Sequence, residues 1–242
     1  MKTIVSINLG NHGSTGKIMH GISLLARENG YMVFEAYPDN PNNYPKNDTD
    51  IIIESFNSYR ISRKLSIVTG YNGCFAVLPT LRFIHRLNRI KPDIIHIHNL
   101  HNSYINLPIL FKYIKKKKIS VVWTLHDCWS FTGRCPYFQI TGCDKWKEGC
   151  GDCLYPQDEY PETKKDKTSY IWSKKRKWFS GIDNLVIVTP SEWLAGLVKE
   201  SFLSEYQVMV INNGIDLEVF KPTDIDLRNR IFDEAEQFAD KQ

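Results

Sequence analysis

The chain of 242 residues has no apolar run near the eighteen or so residues that a membrane-spanning helix needs, which excludes a transmembrane reading. Its opening, Met1-Lys2-Thr3-Ile4-Val5-Ser6-Ile7, lacks the long apolar segment and small-residue cleavage site of a secretory leader and reads directly as a strand. A cytoplasmic location is therefore expected. Excess charge of one sign is also scarce: 31 Lys and Arg against 27 Asp and Glu leave a net charge of +4, too little to imply a nucleic-acid partner. Six cysteines without an export signal favour reduced thiols or a metal site over a disulfide framework. Internal repeats are lacking too. What is present is an ordinary globular composition, 42% hydrophobic and 24% charged, in a chain long enough to bury a substantial core.

Short β-branched runs alternate with helical patterns, the signature of βαβ units and a mostly parallel sheet with helices on both faces. Seven strands are expected, over Thr3–Asn8, Met32–Tyr37, Asp50–Ser55, Asp93–His98, Ser120–Leu125, Leu185–Thr189 and Gln207–Ile211. Helices are expected over Gly16–Asn29, Ala76–Ile90, Leu107–Lys117, Lys167–Phe179 and Glu192–Glu200. Ser58–Tyr71 has no assignable type. The segment 126–165 has no periodicity, and a loop of that length inside a domain needs a staple or a function. Residues 1–222 thus read as one α/β, Rossmann-like domain. Residues 223–242 read as an acidic tail, with an amphipathic helix over Ile225–Phe238.

In an open parallel sheet, ligands collect beyond the carboxyl ends of the strands, so the residues there carry the chemistry. After the first strand comes Gly10-Asn11-His12-Gly13-Ser14-Thr15-Gly16-Lys17, a glycine-rich turn into a helix whose free N–H groups suit phosphate or sugar oxygens. It is not a Walker loop, because five residues separate Gly10 from Gly16 and Ile18 follows Lys17. Asn11 stands where the dinucleotide fingerprint needs glycine.

After the fourth strand come His96, His98, Asn99 and His101; no carboxylate lies nearby, so His96 reads as a sheet histidine and His98 as lying at the crevice edge. After the fifth come His126 and Asp127, a base or sugar-hydroxyl partner beside a carboxylate. Adjacent residues on extended chain point apart, so Asp127 is not expected to orient His126. After the sixth, Ser191 suits a helix cap and Glu192 the positive end of that helix. Together these polar strand ends fit a sugar or its phosphate.

Two further stretches stand outside this pattern. Cys135, Cys143, Cys150 and Cys153 lie in the irregular segment, and Cys150-Gly151-Asp152-Cys153 has a spacing that closes around a tetrahedral ion. A structural zinc there stands level with free thiols packed among Trp129, Phe131, Tyr137, Phe138 and Trp146. No catalytic metal is expected. Residues 164–179 carry seven basic side chains against Asp166, with Ile171, Trp172, Trp178 and Phe179 available to enter lipid headgroups. That stretch is a candidate for peripheral contact with the inner face of the membrane.

The order of motifs resembles a family. The glycine-rich turn, then Pro92-Asp93-Ile94-Ile95-His96-Ile97-His98-Asn99, Thr124-Leu125-His126-Asp127, Thr189-Pro190-Ser191-Glu192-Trp193-Leu194 and Asn213-Gly214-Ile215-Asp216 with Phe220 resemble glycosyltransferase family four over Met1 to Pro222. His126 to Tyr155 also resembles members assigned to bacterial surface-polysaccharide synthesis. The resemblance implies the two-domain GT-B architecture and retaining transfer from a nucleotide sugar to a glycan or lipid-linked acceptor. It puts acceptor binding on Gly13, Ser14, Thr15, Gly16, His98, Asn99 and His101, and His126 near the transferred sugar.

The family's nucleotide pocket lies in a C-terminal domain for which the sequence has no room after Asn213-Gly214. The chain is therefore expected to be the acceptor-side half, inactive alone, with the nucleotide-sugar donor held by a separate donor-domain polypeptide. The alternative is a non-catalytic sugar-binding or assembly module. Glu192 and Glu200 reproduce the spacing of the family's Glu-x7-Glu motif by coincidence, on a solvated helix face.

Overall fold

The computed structural model describes residues 1–215, 217–222 and 230. Asp216 and the helix predicted over Ile225–Phe238 lie outside the described residues. All seven predicted strands form: β1 Thr3–Ile7, β2 Met32–Tyr37, β3 Ile51–Ile52, β4 Ile94–Ile97, β5 Ser120–Thr124, β6 Leu185–Thr189 and β7 Gln207–Val210. They make one parallel sheet in the order β3-β2-β1-β4-β5-β6-β7. The chain winds outward from β1 to β3, then crosses back to lay β4 on the other side of β1. The switch point therefore falls between β1 and β4, the place where such sheets open a crevice.

Among the described residues six α-helices accompany the sheet: α1 Gly13–Glu28, α2 Phe56–Thr69, α3 Val77–Ile90, α4 Leu107–Lys117, α5 Thr168–Phe179 and α6 Glu192–Lys199. Both sheet faces are covered at the centre. Val5, Ile7, Ile95, Ile97, Val121 and Trp123 are buried on one side, and Ser6, His96 and Thr124 on the other. This explains the unbroken apolar runs of the sequence, which suit strands shielded on both faces. Two of the helix starts are capped. Asn106 Oδ1 accepts from Ile109 N at 3.1 Å before α4, and Ser191 Oγ accepts from Leu194 N at 3.3 Å before α6.

The compact unit runs over Met1–Asn212, and Asn213–Gln242 form a second unit. In that second unit Lys221 Nζ lies 3.8 Å from Glu218 Oε2, both side chains exposed. No helix among the described residues is long and apolar enough to cross a membrane.

The irregular segment 126–165 contains three short 3-10 turns, Trp129–Phe131, Phe138–Thr141 and Lys145–Lys147. Two buried cations hold it together. Arg134 donates from Nη1 to the carbonyls of Glu159 (3.2 Å) and Pro161 (2.9 Å), and from Nη2 to those of Tyr155 (2.5 Å) and Pro156 (2.9 Å). Lys175 comes up from α5, donates to the carbonyls of Trp129 (2.6 Å) and Thr132 (3.1 Å), and sits 3.3 Å from the Trp129 ring centre. Burial pushes the Lys175 ammonium down to about 7, although Cys150 and Asp127 oppose the shift. A guanidinium fork and an ammonium thus satisfy carbonyls that no helix or strand serves.

The cysteines are free thiols in this geometry, and burial raises Cys135 to about 11 and Cys150 to about 12, a cost that zinc binding would have to offset. No group of three or more His, Cys, Asp or Glu side chains among the described residues is arranged to hold a metal ion. About one zinc per chain in a tag-free preparation would show the thiols rearranging into a ligand set that this arrangement lacks.

The headgroup insertion expected of Ile171, Trp172 and Phe179 meets a correction. Ile171, Trp172 and Phe179 are buried, as is Lys175, because α5 packs against α4 and the turn Trp129–Phe131. Trp172 Nε1 donates inward to the carbonyl of Trp146 at 2.9 Å. Only Lys164, Lys165, Arg176 and Lys177 among the seven basic residues are fully exposed, and Trp178 is half-buried.

Candidate functional site at the strand ends

Asn8, the first residue past β1, joins the two sides of the switch point. Its Nδ2 donates to Gly10 O (2.8 Å) and Thr15 Oγ1 (3.3 Å), while its Oδ1 accepts from Asn99 N (3.1 Å). The glycine-rich turn and the loop after β4 are thereby one structure. Within the turn, Gly13 has φ +69°, a conformation that glycine alone adopts freely, and a Cβ on Gly16 would lie 2.6 Å from the carbonyl carbon of Asn11. Gly13 and Ser14 are exposed, Thr15 is half-buried and Gly16 is buried. Asn11 fastens the far side, donating from Nδ2 to Tyr37 Oη (3.1 Å) and accepting from Tyr44 N (2.9 Å).

The histidines divide into two chains. In the first, His96 Nε2 meets Thr124 Oγ1 at 2.9 Å, the sheet role expected of it, and its ring lies 4.3 Å from that of His98. His98 is buried rather than at the crevice edge, because its Nδ1 meets His126 Nε2 at 3.0 Å edge to edge, with the two ring planes within 13° of parallel. In the second, Tyr160 Oη meets His101 Nδ1 at 2.5 Å, and His101 Nε2 lies 3.4 Å from Asp127 Oδ2. Asp127 Oδ1 accepts from Trp129 N at 2.8 Å. As expected from the backbone, Asp127 serves His101 and not its neighbour His126.

The electrostatics follow from burial. It lowers His96 and His126 to about 4, helped for His96 by the positive form of His126, and with His96 and His126 it holds His98 well below the usual histidine value. All three imidazoles are neutral at pH 7. Burial works against the Asp127 carboxylate, but His101, the Trp129 N–H and His126 outweigh it and hold its pKa below the usual range.

The depressed histidines carry a pH consequence with a definite sign. Between about pH 4 and 6.5 the unfolded chain binds protons that the folded cluster refuses, so stability is complete above that window and falls as pH drops through it. The loss between pH 7 and pH 5 should reach up to about 2 kcal/mol per histidine. Urea midpoints across pH 5 to 7 measure it, and His96→Gln should flatten the profile. A wild-type midpoint unchanged over that range would contradict the burial of neutral imidazoles.

Ser191 and Glu192 sit at the start of α6, where Ser191 caps and Glu192 is exposed; no hydrogen bond among the described residues links them to the histidines. Glu200, exposed at the other end of that helix, pairs with Lys147 at 2.7 Å. Sequence reasoning missed four residues here. Asn8 was findable as the first polar residue past a strand end, but Trp129, Arg134 and Tyr160 lie in the aperiodic segment and leave no pattern.

A seven-stranded parallel sheet with polar residues gathered at the β1/β4 switch point defines a Rossmann-like α/β domain. A family model described as Glycosyltransferase Family 4 matches residues 25–219, and the chain belongs to that family. It is 35% identical over 136 residues to an Escherichia coli (strain K12) protein described as a colanic acid biosynthesis glycosyl transferase, WcaC; the match covers 52% of this chain and 32% of that one. The chain thus spans about a third of that curated relative's length. In fold it is similar to a sucrose-phosphate synthase from Thermosynechococcus elongatus, with a TM-score of 0.57 and 11% identity, over 96% of this chain and 52% of the other.

Proposed function

We propose that this chain is the acceptor-binding half of a retaining glycosyltransferase, which moves a sugar from a nucleotide-sugar donor to a glycan or lipid-linked acceptor in surface-polysaccharide synthesis. The observation that carries the reading is the Asn8 bridge, which joins the glycine-rich turn to the histidine loop at the switch point. Family membership and the process named for the E. coli relative support it.

In this reading the exposed N–H groups of Gly13 and Ser14 meet acceptor oxygens, and His126 meets a hydroxyl of the transferred sugar. His126 does so as a neutral hydrogen-bonding group, since its pKa of about 4 leaves no charge at pH 7. Charge developing on the leaving diphosphate must then be met by a donor-binding domain or partner chain. We place the assembled enzyme in the cytoplasm at the inner membrane face. Contact with anionic lipid through 164–179 would rest on the exposed Lys164, Lys165, Arg176 and Lys177, without aromatic insertion.

Titration of the 15N-labelled chain with acceptor glycans and, separately, nucleotide sugars tests the assignment. Glycans should shift the amides of Gly13–Gly16 and His98–His101, while nucleotide sugars at the same concentration should leave them in place. Shifts from nucleotide sugars alone would assign the crevice to the donor and sink the proposal.

A further inference from the structure

Beside His126 lies a small cavity, lined by His98, His101, Asp127, Trp129 and Ser130 among others. About 10 Å³ of it is open to the centre of a water molecule, the space of about one water. Four of the lining side chains each bury a polar atom that has no hydrogen-bond partner in the protein: His98 Nε2, His101 Nε2, Trp129 Nε1 and Ser130 Oγ. These residues are 2%, 5%, 2% and 3% exposed, so bulk solvent does not satisfy them. Orphaned polar atoms are costly singly, and four around one cavity call for a common partner.

The chemistry of the lining selects that partner. The Asp127 carboxylate 3.4 Å from His101 Nε2 favours a proton on that nitrogen, which leaves Nδ1 to accept the hydroxyl proton of Tyr160 across their 2.5 Å contact. At 3.4 Å the Asp127 carboxylate holds that N–H only weakly, so an acceptor in the cavity can share it. The indole N–H of Trp129 can only donate. Two donors repel a cation, and the neighbouring Asp127 carboxylate repels an anion. A water accepts from both donors and has two protons left, for His98 Nε2 and for Ser130 Oγ.

We propose that this cavity is the site of one structural water that completes a chain from Tyr160 through His101 and His98 to His126. Because the water donates to His98 Nε2, His98 carries its proton on Nδ1 and donates it to His126 Nε2. His126 then holds its proton on Nδ1, the nitrogen that His98 does not engage. His98 is thereby a positioning residue that fixes which hydrogen bond His126 offers. This deepens the reading of His126 as the group that meets the transferred sugar, and rests on it for its functional meaning.

Long-range 1H–15N spectra of the labelled full chain report the proton position on each imidazole, and water-to-indole cross-relaxation reports a long-lived water. The Trp129 Nε1–H should show a cross-peak to such a water, with His126 and His98 as single Nδ1–H forms and His101 as Nε2–H. Trp129→Phe, which removes one donor, should turn the single His126 form into a mixture. Absence of the water cross-peak in the wild type, or His126 protonated on Nε2, would overturn the proposal. If Trp129→Phe does not fold, these wild-type readings still decide. None of them requires a glycan to bind, so the water site can stand if acceptor binding fails, and fall if it succeeds.

Discussion

Replacing Arg134 with alanine should cost about 3–5 kcal/mol of stability and lower the unfolding temperature by on the order of 10 °C. The substitution leaves the carbonyls of Tyr155, Glu159 and Pro161 without a donor, while Pro156 keeps only the Glu159 N–H at 3.3 Å. A buried carbonyl without a partner costs about 1–3 kcal/mol, and water entering the loosened segment recovers part of the sum. The ring of Tyr155, 4.8 Å from the guanidinium carbon, loses its stacked cation as well. Arg134→Lys should rescue little, because an ammonium is a point charge and cannot fork across four acceptors. Thermal unfolding by circular dichroism gives the magnitude, and hydrogen exchange should show the loss concentrated in 155–163 while the sheet amides stay protected. Stability within about 0.5 kcal/mol of wild type, the range of an ordinary surface change, would mean that something else holds the segment.

The second large effect is catalytic. In an enzyme assembled from this chain and a donor-binding half, His126→Ala should lower turnover about 100-fold, the scale of a positioned catalytic group, with little loss of stability. Its neutral state predicts more than the magnitude. Because burial holds His126 near 4, the rate should not follow a histidine titration between about pH 5.5 and 8. His126→Gln, which keeps an N–H, should retain more activity than His126→Ala. His96→Ala, by contrast, breaks the bond to Thr124 inside the sheet and should act chiefly on stability. A fully active His126→Ala enzyme would falsify the assignment.

The sheet was legible because its strands are β-branched and apolar on consecutive positions, and each predicted strand overlaps an observed one. α2 was not legible, for a physical reason. Its buried side is Tyr59, Ser62 and Ser66, while Ile61, Leu65 and Val68 face outward, so the apolar period that marks a helix points the wrong way. The serines belong inside because Ser58 and Ser62 both donate to Glu54 Oε1, at 2.7 and 2.8 Å, beneath the helix.

The strand-end rule located His98, Asn99, His101, His126 and Asp127. It could not say that His98 would turn inward to His126, or that a tyrosine from an aperiodic loop would reach His101. Those pairings depend on contacts between residues far apart in sequence, which local pattern does not encode. Arg134 and Lys175, which hold the irregular segment, look in sequence like any surface cation.

The position of β4 beside β1 bears on how the crevice comes into being. Ile4 pairs with Ile94 and Val5 with Ile95, so the central joint of the sheet closes a very long loop, whereas β1 and β2 meet across a single helix. Long-range parallel pairing is the slow step of such topologies, since the entropy of closing the loop is lost before the contacts compensate. Asn8 and Asn99 face each other only after that closure. A nascent chain can hold its glycine-rich turn early yet recognise nothing with it, and ligand affinity should return only with the last refolding phase.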